Sequence, residues 1–315
     1  MAGFALPTYR QTAALRLGLY ASGTATSGST TSIIVINSSP FLSTIEQDDK
    51  WVDWWAFTPA AVADADKLAR RVKEYDPATA GLTVDNPFST EPDGLAVEFH
   101  GLVEPYADMR RLINDVLKLC LVNVTFTFTV ADADDYRHSM AAVSWLTRPE
   151  WVYQVGYLTS SDDIDEDDPF AEGRQKHGSV IAENGIVYLR GFRHNTSDTM
   201  YVRAARPAYT YCRATSGGAF GDLTTGLTAT ETNEAEPDPE WVAAGVKMLA
   251  WDEQGQQFSP GDDKRAERMV AGASEAFREL SKTHFIPPTR MLYIPSKGWG
   301  PASAQGGRQP AGLAR

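Results

Sequence analysis

The chain of 315 residues carries 29 Lys and Arg against 41 Asp and Glu, a formal charge of −12 with a pI near 4.9. That balance excludes a dedicated nucleic-acid binder, which needs a basic footprint to displace counterions, while leaving room for an acidic surface that faces nucleic acid without gripping it. An apolar fraction of 43% excludes wholesale disorder, and the length allows one large domain or two ordinary ones, each with its own core.

In chain order, residues 1–12 read as a polar arm interrupted by Pro7. MAGFALPTYR has no basic segment followed by a long apolar one, so no signal peptide is expected. No stretch approaches about 18 apolar residues, so no membrane contact is expected either, and the chain reads as a soluble protein made inside a cell. Residues 13–101 form a β-rich module. Its strand candidates are the β-branched run at 33–36, the aromatic run at 51–57, residues 70–75, 82–84 and 94–99. Asp76-Pro77-Ala78-Thr79-Ala80-Gly81 supplies turn chemistry inside the module, and the strand spacing predicts a small barrel or sandwich.

Residues 102–121 carry a bundle helix. Met109, Leu112, Ile113, Val116, Leu117 and Cys120 recur at the spacing that places them on one face. Cys120 therefore reads as a buried thiol. Cys212 is distant, there is no CxxC, and no His stands at ligand spacing, so neither a disulfide scaffold nor a zinc site is expected. A second β-rich region spans 122–225. It opens with the clearest strand of the chain, where Val122, Val124, Phe126, Phe128 and Val130 alternate with Asn123 and three threonines. Further strands are predicted at 151–158, 180–181, 186–192 and 200–205, with Asn184-Gly185 as a hairpin turn.

Residues 226–286 turn helical. Asp238-Pro239 and Ser259-Pro260 are start signals for helices over 239–252 and 260–284. Trp241 and Met248 lie on one face of the first, and Met269 and Phe277 on one face of the second. The fold expected from this pattern is α+β: a helical bundle of about three main helices carrying two barrel- or sandwich-like β regions. Ile113, Val116, Leu117, Trp241, Met248, Met269 and Phe277 are the residues expected to pack the bundle or neighbouring subunits.

From Pro287 to Arg315 the chain has four cations (Arg290, Lys297, Arg308 and Arg315) and no acidic residue. This basic tail cannot bury enough apolar surface to order itself, so it is expected to dock in a groove of another protein. Leu292, Tyr293, Ile294 and Trp299 would be its anchors. The other reading is a tail packed on its own domain.

A search for chemistry returns little. The run from Asp162 to Asp168 lacks the ligand order of a calcium loop and reads as a solvated loop. The segment from Asp222 to Glu240, with six carboxylates and no cation, also reads as a solvated loop or as the lining of a channel through which DNA slides. No Walker loop, G-x-S-x-G, H-E-x-x-H or G-x-G-x-x-G occurs, and no cofactor or metal is expected. A glycosidase could use two of the many carboxylates, and sequence alone leaves that open.

Four segments carry a family resemblance: Ala25-Thr26-Ser27-Gly28-Ser29-Thr30-Thr31-Ser32, Asp48-Asp49-Lys50-Trp51, Arg71-Val72-Lys73-Glu74-Tyr75-Asp76 and Gly81-Leu82-Thr83-Val84. In this order they resemble a β module of tailed-bacteriophage structural proteins. In neck proteins that module is followed by a helix with a core similar to Ile113-Asn114-Asp115-Val116-Leu117. The closing helix pair with its polar extension is similar to head-to-tail adaptor proteins. The resemblance implies a non-catalytic virion protein, assembled in the host cytoplasm and placed at the head-to-tail junction. Its partners would be the portal protein, downstream neck or tail proteins, and copies of itself in a ring of about twelve. The tail would dock on portal, and DNA would pass through without sequence-specific binding. The second β region departs from small adaptors. It leaves open a tail, collar or receptor-binding protein that stacks Trp54, Trp55 or Trp151 on sugars, or a virion-associated glycan hydrolase.

Overall fold

The computed structural model describes residues 3–38, 40–41, 50–61, 67–129, 137–159, 162, 167–171, 174, 178–192, 198–258 and 263–283. Two units share the chain, one built from Met1–Val122 and Pro207–Ile286 and the other around Asn123–Arg206.

The first unit begins with a two-residue strand, β1 (Phe4–Ala5), and a helix, α1 (Leu6–Leu17), where the sequence predicts an arm. Pro7 starts this helix instead of breaking it, because its missing N–H falls among the first-turn donors that have no intrahelical acceptor. Leu6, Tyr9, Arg10, Ala13, Ala14 and Leu17 are buried along one side. That face is hard to read because a charged residue lies in it and two of its members are small. Gly18, at φ 81°, ends the helix and donates its N–H to Leu15 O at 2.9 Å.

Six strands follow: β2 (Tyr20–Thr24), β3 (Ile33–Val35), β4 (Trp55–Phe57), β5 (Arg70–Asp76), β6 (Gly81–Val84) and β7 (Ala96–His100). They pair antiparallel in the order β2-β7-β4-β5-β6-β3, a half-barrel. The sheet curls far enough that Thr26, just beyond β2, donates to Val35 O of β3 at 2.9 Å. Ile34, Ala56, Val72, Leu82, Val97 and Phe99 fill its concave side. In the turn after β5, Asp76 Oδ1 accepts from Ala78 N at 2.9 Å and Oδ2 from Thr79 Oγ1 at 2.7 Å.

Helix α2 (Asp108–Leu119) buries Met109, Leu112, Ile113, Val116 and Leu117, the face that the periodicity predicts. The unit returns after the second one with β14 (Glu234–Ala235), which pairs with β1, and then α3 (Pro239–Phe258) and α4 (Asp263–Ser281). Asp238 caps α3, accepting from Glu240 N at 2.8 Å. Helix α3 touches α1, α2 and α4, and is apolar on more than one side because it is covered on more than one side. Its Gly245 marks the tightest approach: a Cβ there would lie 2.6 Å from Val116 of α2 and 2.9 Å from Phe277 of α4.

The second unit holds two three-stranded sheets. In the first, β10 (Val152–Leu158) and β8 (Leu121–Thr129) flank β13 (Thr199–Pro207); in the second, β11 (Ser179–Glu183) and β9 (Arg137–Ser139) flank β12 (Ile186–Arg190). The alternation in β8 is real: Val122 and Val124 are buried, and Asn123 and the three threonines are exposed. Asn184 and Gly185, at φ 52° and 79°, form the two-residue turn between β11 and β12.

The helical-bundle architecture is therefore corrected. Most elements are strands, and the described residues form a β-rich α+β fold with four helices and several sheets. The helices lie in the same unit as the half-barrel, sharing buried side chains with it, so the β module does not hang from a bundle. The second β region closes at Arg206, earlier than position 225, because residues 207–238 return to the first unit through the β1–β14 pairing and the Arg213–Glu234 contact.

Candidate functional site

Two polar constellations of the first unit stand out. The first is buried under α1. Arg10, 2% exposed, donates from Nε to Glu98 Oε2 at 2.8 Å and from Nη2 to Glu98 Oε1 at 3.0 Å, a bidentate pair with β7. Its Nη1 donates to both carboxylate oxygens of Glu231 at 3.0 Å, and its guanidinium lies 4.6 Å from the Phe57 ring centre. Glu98 also accepts from Gln11 at 3.0 Å and from His100 Nε2 at 3.1 Å. Burial works to raise the Glu98 carboxyl, but the hydrogen bonds from His100 and Arg10 outweigh it and hold the group at about 2. Burial prevails at Glu231, which is raised despite the same arginine, and at His100, which is lowered and so neutral near pH 7. Beside the cluster lies a groove of about 470 Å³ between Pro7 and Gln11 of α1, Tyr20 and Ser22 of β2, and Val97 and Glu98 of β7.

Two carboxylates driven apart in pKa is a pattern of acid–base sites. Here, however, Glu98 and Glu231 both face one guanidinium whose Nε, Nη1 and Nη2 are all donating to them. The arrangement ties α1 to the half-barrel and to the segment before β14.

The second constellation is a groove of about 290 Å³ where the C-terminal end of α1 meets α3 and α4. Ala244 and Trp251 of α3 and Met269 and Ala273 of α4 give it an apolar floor, and its charged lining is Arg16, Lys247 and Arg268. No carboxylate lines it, on a chain of net charge −12. Arg16 reaches out to Glu240 at 2.8 Å in an exposed pair, and Arg268 Nε donates to Lys264 O of its own helix at 3.1 Å. At Gly272 the groove is open: a Cβ would meet nothing within 4 Å.

Of the residues singled out for packing, Ile113, Val116 and Leu117 are fully buried inside the chain, and Trp241 stacks on Phe277 with ring centres 6.2 Å apart. Trp241 Nε1 donates to Ser281 Oγ at 2.9 Å. Met248 and Met269 are half-buried, the latter in the groove. The tail residues Arg290, Leu292, Tyr293, Ile294, Lys297, Trp299, Arg308 and Arg315 lie outside the described residues.

The acidic segment 222–240 is not a free acidic face. Glu231 serves Arg10, Glu234 pairs with Arg213, Asp238 caps α3 and Glu240 meets Arg16. Of the run 162–168, only Asp162, Asp167 and Asp168 are described. Arg174 bridges the first two at 3.3 and 2.9 Å. Among the tryptophans considered for sugar stacking, Trp54 packs edge-on against Trp51 at 4.7 Å and belongs to the half-barrel core. Trp55 lies under Arg71 and Trp151 under Arg148. Cys120 and Cys212 are buried free thiols, with burial pushing the Cys120 thiol far up. Among the described residues, no group of His, Cys, Asp and Glu is placed to hold a metal, and no helix is long and apolar enough to cross a membrane.

Sequence reasoning missed Arg10 and Asn114 as structural anchors. Asn114 exchanges two hydrogen bonds with the Leu227 backbone, both at 2.9 Å. The only local signal was a polar residue inside an otherwise apolar helix face. No protein-family model matches this chain, and no curated protein matches it.

Proposed function

We propose that this chain is a non-catalytic virion protein of a tailed bacteriophage, acting as a head-to-tail adaptor that assembles as a ring on the portal. The observation that carries the reading is how its charged groups are used. The buried cluster around Arg10 is saturated by its own partners and holds the fold together. The charge left facing outward is a cation-rimmed groove at the helical corner and the basic segment that follows α4, both suited to docking on protein. The resemblance of the β module and of the α2 core to phage neck proteins supplies the placement in the virion, and DNA would pass through the ring without base-specific contact.

Native mass spectrometry of the full-length chain with and without portal, alongside a form lacking residues 287–315, tests this. A closed ring on portal that the deletion prevents supports both the adaptor role and tail docking. A full-length chain that ignores portal and binds glycan on an array would overturn the adaptor role in favour of a receptor-binding protein.

A further inference from the structure

The groove lined by Arg16, Lys247 and Arg268 has a shape and charge that the chain itself can complement. In the second unit, Arg174 binds Asp162 and Asp167 through one Nη2 atom, so the two ends of the intervening stretch are held together. Asp162 is fixed further, accepting from Thr159 N at 2.7 Å and Thr159 Oγ1 at 2.9 Å. Between the clamped aspartates the sequence is Asp163-Ile164-Asp165-Glu166: one branched apolar side chain among three carboxylates. The groove offers the counterpart, an apolar floor of Ala244, Trp251, Met269 and Ala273 beside three cations.

We infer that this groove receives the acidic segment 163–166 of a second copy of the chain, with Ile164 on the apolar floor and Asp163, Asp165 and Glu166 facing Arg16, Lys247 and Arg268. Like-charge repulsion between surfaces of an acidic protein disfavours other self-contacts, so a local cationic island opposite a local acidic loop selects one register. A contact between two different surfaces is heterologous, and repeated with a fixed rotation it closes into a ring. The inference rests on the proposed function only in taking copies of the chain to associate. It adds which surfaces do so.

The test is sedimentation velocity of the full chain over a concentration series, at low and high salt, with and without portal. The paired reversals Lys247→Glu with Arg268→Glu, and Asp163→Lys with Asp165→Lys, are each expected to weaken self-association about tenfold or more. Combining all four is expected to restore it. Gly272→Leu, which raises helix propensity and fills open space, is expected to block association while leaving the thermal melt unchanged or higher. Restoration by the combined reversals, together with loss in Gly272→Leu, supports the contact. Persistent association in every variant, or loss without restoration, overturns it and leaves the ring reading standing. A wild-type chain that is monomeric alone but assembles on portal with the variants unaffected also overturns it. A chain that neither self-associates nor binds portal overturns this contact and the adaptor reading together.

Discussion

Replacing Arg10 with Met removes the one cation from a buried cluster that holds two carboxylates. The Glu98 side chain is 5% exposed and would keep only the hydrogen bonds from His100 and Gln11. An uncompensated buried charge of this kind costs about 3–5 kcal/mol. The pH dependence gives a second reading. Glu98 titrates at about 2 in the fold against an ordinary 4.5, so it contributes about 3 kcal/mol that is fully present above pH 4.5 and is lost as pH falls toward 2. Glu231 acts oppositely. Its raised carboxyl contributes stability below its ordinary value that is lost as pH rises through the folded one, which partly offsets Glu98. Urea unfolding of the wild-type chain, followed by near-ultraviolet circular dichroism, should show stability climbing from pH 2 to 4.5. Arg10→Met should lower the midpoint at pH 7 and flatten that climb, because the Glu98 carboxyl rises once its arginine is gone. An Arg10→Met chain that keeps both the wild-type midpoint and the same acid limb would refute the assignment of Arg10 as the tie between α1 and the half-barrel.

Asn114→Ala strips both hydrogen bonds from the buried Leu227 backbone and is expected to cost about 2–3 kcal/mol, with faster hydrogen exchange at the Leu227 amide as the check. Gly245→Val drives side-chain atoms into Val116 and Phe277 at the α2–α3–α4 crossing. A loss of about 1–3 kcal/mol should appear in the melt together with a weakened Trp241–Phe277 near-ultraviolet signal. Gly156→Ala places a Cβ 2.0 Å from Pro169 O, so limited proteolysis should cut first within residues 123–206 while the first unit stays protected.

Elements whose information is local were legible without the fold. The period-two pattern of β8, the Asn184-Gly185 turn, the capped start of α3 and the apolar face of α2 each depend on residues within a few positions of one another. Helix α1 was not legible, because its buried face includes Arg10, whose partners stand 88 and 221 positions away. The acidic segment 222–240 misled for the same reason: its cations, Arg10, Arg16 and Arg213, lie outside it. The sheet order β2-β7-β4-β5-β6-β3 and the cationic groove are likewise products of tertiary contact. Sequence by itself determined that this chain is acidic, folds around alternating strands and amphipathic helices, and ends in a basic tail. Only the tertiary structure decided which charges are neutralised inside and which remain to meet a partner, because a charge's partner is set by folded distance and its burial by what packs over it.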